Sequence, residues 1–196
     1  MLKIGLTGGI ASGKTSVANW FADRGIRVFD ADKAVHDLYS QEGIISSIAK
    51  VFGAEYIQEG FVNRSHLGRL VFSNKEARTK LEEIIHPYVR EEMRKSIKTA
   101  EREGEKTIIL DLPLLFETDW TSYIDEIWTV YVPLEIQIQR LTQRNGFSRE
   151  EATQRISSQL SLEYKADKAD RVIDNSGDWP HTELELVKIW EEINQG

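Results

Sequence analysis

Short apolar runs alternate with stretches of helical periodicity along this chain, the pattern of an α/β fold built on a parallel sheet. Residues 3–6 read as a first strand and residues 12–22 as the helix that follows. Further strands are expected at 27–30, 107–110, 127–132 and 171–173, the last before a turn at Asp174-Asn175-Ser176-Gly177. Thr182-x-x-Glu185 has the form of a capping box opening a C-terminal helix, with Leu184, Val187, Trp190 and Ile193 expected on its core face.

Two stretches break the alternation. Residues 33–102 show no convincing strand and carry helical spacing instead: Ile44, Ile45, Ile48, Val51 and Phe52, then Leu81, Ile84, Ile85, Tyr88 and Met93. Ser73-x-x-Glu76 is a capping box for the second group, and Pro87 inside it predicts a kinked or split helix. This is far longer than a crossover needs, so it reads as a helical insertion. Residues 134–168 are also helical, broken at Asn145-Gly146 and restarted by a capping box at Ser148-x-x-Glu151. The expected organisation is a three-layer α/β core of five parallel strands (1–32, 103–133 and 169–196), with the insertion 33–102 and a lid 134–168 growing out of it.

Composition narrows the chemistry. With 196 residues and no cysteine, the chain can bury a core without staples, and disulfides, zinc ribbons, iron–sulfur clusters and thiol catalysis are excluded. No apolar run approaches the roughly 18 residues of a membrane span, and no basic-then-apolar leader opens the chain, so the cytoplasm is expected, with no membrane partner. The net charge of −7 argues against nucleic acid, whose backbone must be met by excess Lys and Arg. A monomer or small homo-oligomer is expected.

The acidic total stands beside a phosphate motif. Gly8-Gly9-Ile10-Ala11-Ser12-Gly13-Lys14-Thr15 matches G-x-x-x-x-G-K-[ST] between an expected strand and helix. Glycines let the loop curl so that successive N–H groups converge on an anion, and the helix N-terminus adds free donors and a positive dipole end. Gly9 through Ser16 would cradle the phosphates of ATP, Lys14 would reach the β/γ-phosphates, and the Thr15 hydroxyl would ligate Mg²⁺.

Carboxylates at strand ends come next, because ligands of open α/β sheets lie outside the carboxyl ends of the strands. Asp30 and Asp32 share a side if the segment stays extended, so either would meet an acceptor hydroxyl; alternatively Asp32 caps the helix through Val35 and Leu38. Asp111 ends an apolar strand behind the phosphate loop, as a Walker B aspartate does. Between Arg140 and Arg171 seven basic residues face five acidic ones, so this segment is +2 and the rest of the chain −9. Gln137, Arg140 and Arg144 share one helix face and Leu134, Ile138 and Leu141 the other, the layout of a lid that carries arginine to a transferring phosphoryl group. A guanine-specific N-K-x-D is missing, since Asn74-Lys75-Glu76-Ala77 fails at its fourth residue, which favours a small-molecule kinase over a GTP switch.

Taken in order, these segments resemble the dephospho-coenzyme A kinase family over the whole chain. The resemblance rests on the phosphate loop, on Val28-Phe29-Asp30-Ala31-Asp32 and on Asn63-Arg64-x-x-Leu67-Gly68-x-x-Val71-Phe72. Leu81-Glu82-x-x-Ile85-His86-Pro87, Asp111-x-Pro113-Leu114-Leu115-Phe116-Glu117, Gln137-x-x-Arg140-Leu141-x-x-Arg144 and Ala169-Asp170-x-Val172-Ile173-Asp174-Asn175 complete it. Two positions depart from the usual pattern: Ala11 stands where the family has Gly, and Asn63 where it has Asp.

The resemblance implies transfer of the ATP γ-phosphoryl group to the ribose 3′-hydroxyl of dephospho-CoA with Mg²⁺; another small P-loop kinase, with a nucleoside monophosphate or sugar acceptor, is the alternative. It implies Asp32 as catalytic base, Lys14 and Arg140 stabilising charge with help from Arg144, and Asn175 near the adenine. Arg64, His86, Asp111 and Glu117 would belong to the acceptor side, with Asp32. His36, His66 and His181 lack metal-ligand spacing and read as structural, and the five tryptophans read as core or interface anchors.

Overall fold

The computed structural model of the protein describes residues 1–118 and 120–195. The chain divides into two compact units, Met1–Phe29 with Ala100–Gly196, and Asp30–Thr99. The first is built on a five-stranded sheet: β1 (Leu2–Gly8), β2 (Arg27–Asp30), β5 (Thr107–Asp111), β6 (Glu126–Tyr131) and β7 (Arg171–Asp174), in the order β2-β5-β1-β6-β7. β1 lies parallel to both β5 and β6, and β6 parallel to β7. The strand at 107 is buried at all five positions, which is why it reads in sequence as a continuous apolar run.

Helices α1 (Lys14–Ala22) and α9 (Trp179–Gln195) cover one face of this sheet. Ile4, Leu6, Ile109, Trp128, Val130 and Ile173 from the strands meet Val17, Phe21 and Leu186 from the helices. The Phe21 ring meets Trp20, Trp128 and Trp190 at centroid distances of 5.0, 5.8 and 5.6 Å. Leu186 of α9 is buried, with Val187, Ile189, Trp190 and Ile193 packed against the same cluster, whereas Leu184 is 63% exposed; the expected core face was right at Val187, Trp190 and Ile193 and wrong at Leu184.

The C-terminal helix starts four residues earlier than the capping pattern predicted. Asp178 Oδ1 accepts from the His181 N–H at 3.3 Å and caps the helix, and Pro180 sits in the first turn, where a missing N–H costs nothing. Thr182 and Glu185 are spent on the preceding turn instead: Thr182 Oγ1 donates to the Asp174 carbonyl at 3.2 Å, and Glu185 Oε2 accepts from the Asp174 N–H at 3.0 Å.

Also in the first unit are α6 (Leu134–Asn145), α7 (Arg149–Ile156) and α8 (Leu162–Asp167). α6 ends on Gly146 at φ 69°, and Ser148 with Glu151 forms the expected capping box of α7. Ile138, Leu141 and Ala152 are buried together against Ile10, Ala11, Phe147 and Ile156, so this segment packs on the phosphate loop. Leu134, placed on the same apolar face from sequence, is exposed.

The second unit holds α2 (Ala31–Leu38), α3 (Glu42–Phe52), the strands β3 (Ile57–Gln58) and β4 (Phe61–Val62), α4 (Arg64–Ser73) and α5 (Lys75–Arg102), whose last turn enters the first unit. Leu38, Ile44, Ile48, Leu67, Ile85, Val89 and Met93 are buried, while Val51 and Tyr88 are exposed. β3 and β4 correct the strandless reading of this region. They form an antiparallel hairpin closed by Glu59 and Gly60, both at positive φ (51° and 83°), the geometry of a two-residue type I′ turn. α5 runs as one helix through Pro87 rather than splitting there. Its cap is Asn74, whose Oδ1 accepts from the Ala77 N–H at 3.0 Å; Ser73 closes α4 instead, bonding back to the Arg69 and Leu70 carbonyls. No helix among the described residues is long and apolar enough to cross a membrane.

Candidate functional site

The phosphate loop joins β1 to α1. Gly13 precedes the helix at φ 89°, a left-handed conformation that favours glycine, and a Cβ there would lie 2.0 Å from Asn175 Nδ2. At Gly9 a Cβ would lie 2.8 Å from Gln137 Nε2 and 3.1 Å from Leu162 Cγ, so α6 and α8 press directly on the loop. Ala11 holds φ 61°, a left-handed conformation that favours glycine.

Side chains from distant elements hold the loop's backbone. Gln137 Nε2 donates to the Ile10 carbonyl at 2.7 Å, Gln159 Oε1 accepts from the Ile10 N–H at 3.2 Å, and Asn175 Nδ2 donates to the Ser12 carbonyl at 2.7 Å. Ser12 is fully buried, and its Oγ has no hydrogen-bond partner. An orphaned hydroxyl inside a glycine-rich loop that opens a helix fits a phosphate oxygen.

Beside the loop lies a cavity of about 550 Å³ lined by Ala11, Gly13, Ser16, Arg140, Arg144 and Asn175, with Trp179 at its edge. The Arg140 guanidinium is held there by the Asn175 carbonyl at 2.7 Å. The Arg144 Nε donates to Asn145 Oδ1 at 2.9 Å. Residues named from scattered sequence segments therefore meet at one place. Asn175 reaches it with its side chain turned to the loop: its Oδ1 accepts from Thr182 Oγ1 at 3.0 Å while its Nδ2 holds Ser12. Trp179, read from sequence as a core or interface anchor, also walls this cavity.

Lys14 forms an ion pair with Asp111, whose carboxylate is almost completely buried at the end of β5. The strand thus delivers an acid to the ammonium expected to touch phosphate. Thr15 is exposed in the first turn of α1. No cluster of three or more His, Asp or Glu suited to a metal is found among the described residues. The donors at hand suit a cation held largely by phosphate oxygens and water, as Mg²⁺ is in nucleotide sites. Glu117 Oε1 accepts from the Leu160 N–H at 3.3 Å and pairs with Lys165 at 3.0 Å, so its described partners all belong to the 134–168 segment.

The second unit has its own cavity, about 490 Å³, lined by Asp32, His36, Tyr39, Arg64, Leu67 and Leu81 among others. Asp30 settles the question of the cap: its Oδ1 accepts from the Lys33 N–H at 2.9 Å. Asp32 therefore stands in the first turn of α2, exposed, and not in an extended strand alongside Asp30. Arg64 bonds His36 Nδ1 and lies 5.9 Å from the Tyr39 ring centroid. His36, read from sequence as structural, is thus a wall of the cavity, and burial pushes the Tyr39 hydroxyl above its ordinary value against the pull of Arg64. His86, half-buried on α5, is pushed below the ordinary histidine value chiefly by burial, with Glu82 opposing and Arg90 adding. Asn63 caps α4, accepting from the His66 N–H at 3.0 Å.

The family model described as dephospho-CoA kinase matches residues 2–181. The chain belongs to the dephospho-CoA kinase family. The dephospho-CoA kinase of Carboxydothermus hydrogenoformans is 44% identical over 191 residues, which cover 96% of this chain and 93% of that one. Among solved structures, the dephospho-CoA kinase from Campylobacter jejuni superposes with a TM-score of 0.75 at 28% identity, covering 99% of this chain and 98% of that one. TT1252 from Thermus thermophilus gives 0.81 at 33% identity with 97% of both chains covered. As a member of this family the chain is an enzyme, a kinase that uses ATP and acts on a small molecule.

Proposed function

We propose that this kinase transfers the γ-phosphoryl group of ATP to the ribose 3′-hydroxyl of dephospho-CoA, giving coenzyme A and ADP. The observation that carries the reading is family membership across residues 2–181, together with the phosphate loop whose cavity gathers Arg140, Arg144 and Asn175. The hydroxyl oxygen forms a bond to the γ-phosphorus as the bond to the β,γ-bridging oxygen breaks, and the hydroxyl proton leaves to Asp32. A carboxylate is a weak base for an alcohol. Because the transition state is loose, orienting the hydroxyl matters more than early proton removal. Lys14 and Arg140 offset charge on the transferring group and the leaving ADP, with Arg144 assisting.

The residues that would hold Mg²⁺ are Thr15 and, through its place at the end of β5, Asp111; the ion would neutralise phosphate charge when bound. The proposed acceptor residues are Arg64, His86 and Asp111, with Asp32, while the Glu117 carboxylate is engaged by Lys165 and the Leu160 N–H. The insertion 33–102 is read as the acceptor-binding part and 134–168 as a lid over the nucleotide, in an enzyme of the cytoplasm that handles no nucleic acid.

The test is ADP release by the purified protein with ATP, Mg²⁺ and dephospho-CoA. Turnover on dephospho-CoA is expected. Turnover on a nucleoside monophosphate or a sugar, with none on dephospho-CoA, would replace this reading by that of another small P-loop kinase.

A further inference from the structure

Lys165 is fully buried, and burying an ammonium costs several kcal/mol unless its protons are all bonded. Here they are. Its Nζ meets the Gly8 carbonyl at 3.3 Å, the Pro113 carbonyl at 2.9 Å and Glu117 Oε1 at 3.0 Å, three acceptors for three protons. Burial pulls its pKa below the ordinary lysine value, the pair with Glu117 pulls it back, and the nearby Lys14 lowers it again.

The three acceptors lie where the phosphate site is assembled. Gly8 ends β1 and opens the phosphate loop; Pro113 is two residues past Asp111, the carboxylate paired with Lys14; Glu117 follows on the same stretch. On its other side, the Lys165 carbonyl accepts from Thr129 Oγ1 of β6 at 3.1 Å, and Leu162 of the same short helix packs against Gly9.

We propose that Lys165 is a positioning residue for phosphoryl transfer, holding the entrance of the phosphate loop in register with the segment that carries Asp111 and Glu117. Its ammonium sets the spacing between the loop and Asp111, and through Asp111 the place of Lys14. Because Lys165 rides on the 134–168 segment, docking of that segment and alignment of Lys14 become one event. Glu117, on this view, acts through Lys165 and not by touching the acceptor. The inference rests on the kinase reading above only for its kinetic consequence.

The variant is Lys165→Met, close in length and shape. Thr7 Oγ1 also donates to the Pro113 carbonyl, at 3.3 Å, and the Leu112 N–H to the Leu6 carbonyl, at 2.9 Å, so this loop stays anchored in the variant. Hydrogen exchange needs no acceptor: amides of 8–16 and 111–117 are expected to exchange about tenfold faster in the variant, with β6 and α9 unchanged. Equal rates in both proteins overturn the proposal, whether or not dephospho-CoA is the acceptor. Where the wild type turns over dephospho-CoA, kcat of the variant is expected to fall about 100-fold with both KM values within about threefold. A kcat near wild type, or loss of ADP binding in step with kcat, overturns positioning. Should Lys165→Met not fold, Glu117→Gln keeps the ammonium in place; a fall in kcat is expected there, and an effect confined to the KM for dephospho-CoA would make Glu117 an acceptor contact and sink the idea.

Discussion

Asp30 and Asp32 are identical side chains two positions apart, and helix α2 separates their duties. Asp30 stands before the helix and spends its carboxylate on the Lys33 N–H, while Asp32 opens into the cavity with Arg64. Asp32→Asn is therefore expected to lower turnover by about 10²–10⁴-fold while ATP affinity stays within about threefold, since a base contributes to the barrier and not to nucleotide binding. Near-normal turnover in steady-state assays would remove Asp32 from that role. Asp30→Ala should instead register in thermal unfolding, at about 1 kcal/mol for a lost cap. His86 gives a pH signature. Its folded pKa lies below the ordinary 6.5, so below 6.5 the unfolded chain binds more protons than the folded one and stability falls as the solution is acidified. Urea titrations between pH 7.5 and 5 should show the loss in the wild type and a shallower one in His86→Gln; parallel curves would mean that His86 titrates as an unperturbed group.

At the scale of elements, what the sequence made legible was contiguous. β5 reads as a strand because all five of its positions are buried, and the phosphate loop because its donors are consecutive residues. The hairpin at 57–62 was hidden by a Glu in a left-handed turn position, and Thr182-x-x-Glu185 misled because the same two side chains serve a different backbone segment. Lys165 read as one more charge in a basic segment because its backbone acceptors stand 157 and 52 residues away. The Thr182 case separates the two readings by experiment. As a cap, Thr182→Val would cost about 1 kcal/mol and Asp178→Ala nothing. With the bonds observed, Thr182→Val strands the Asp174 carbonyl and Asn175 Oδ1 and should cost about 1–3 kcal/mol, more than Asp178→Ala at about 1 kcal/mol. It should also weaken ADP binding, because Asn175 holds the Ser12 carbonyl. Chemical denaturation of both variants, with ADP titrations, decides between them.

At the scale of the whole molecule, a net charge of −7 and a substrate pair rich in phosphate are compatible because the charge is not where the phosphates go. The 140–171 segment is +2, and the phosphate loop acts through backbone N–H groups and a helix dipole that no count of side chains includes. The two compact units each hold a cavity of their own. The cavity with Arg140, Arg144 and Asn175 draws its lining from the first unit alone, and the cavity with Asp32 and Arg64 from the second. A ligand protects the structure it binds: at 100 times its Kd it adds about 2.7 kcal/mol, or about 100-fold slower exchange for amides that open only with that site. ADP alone is expected to slow exchange chiefly in 8–16, 140–144 and 175–179, and dephospho-CoA alone chiefly in 32–39 and 64–81. Equal protection of 64–81 by ADP alone would show that the second unit answers to the nucleotide, and the assignment of one ligand to each cavity would have to be given up.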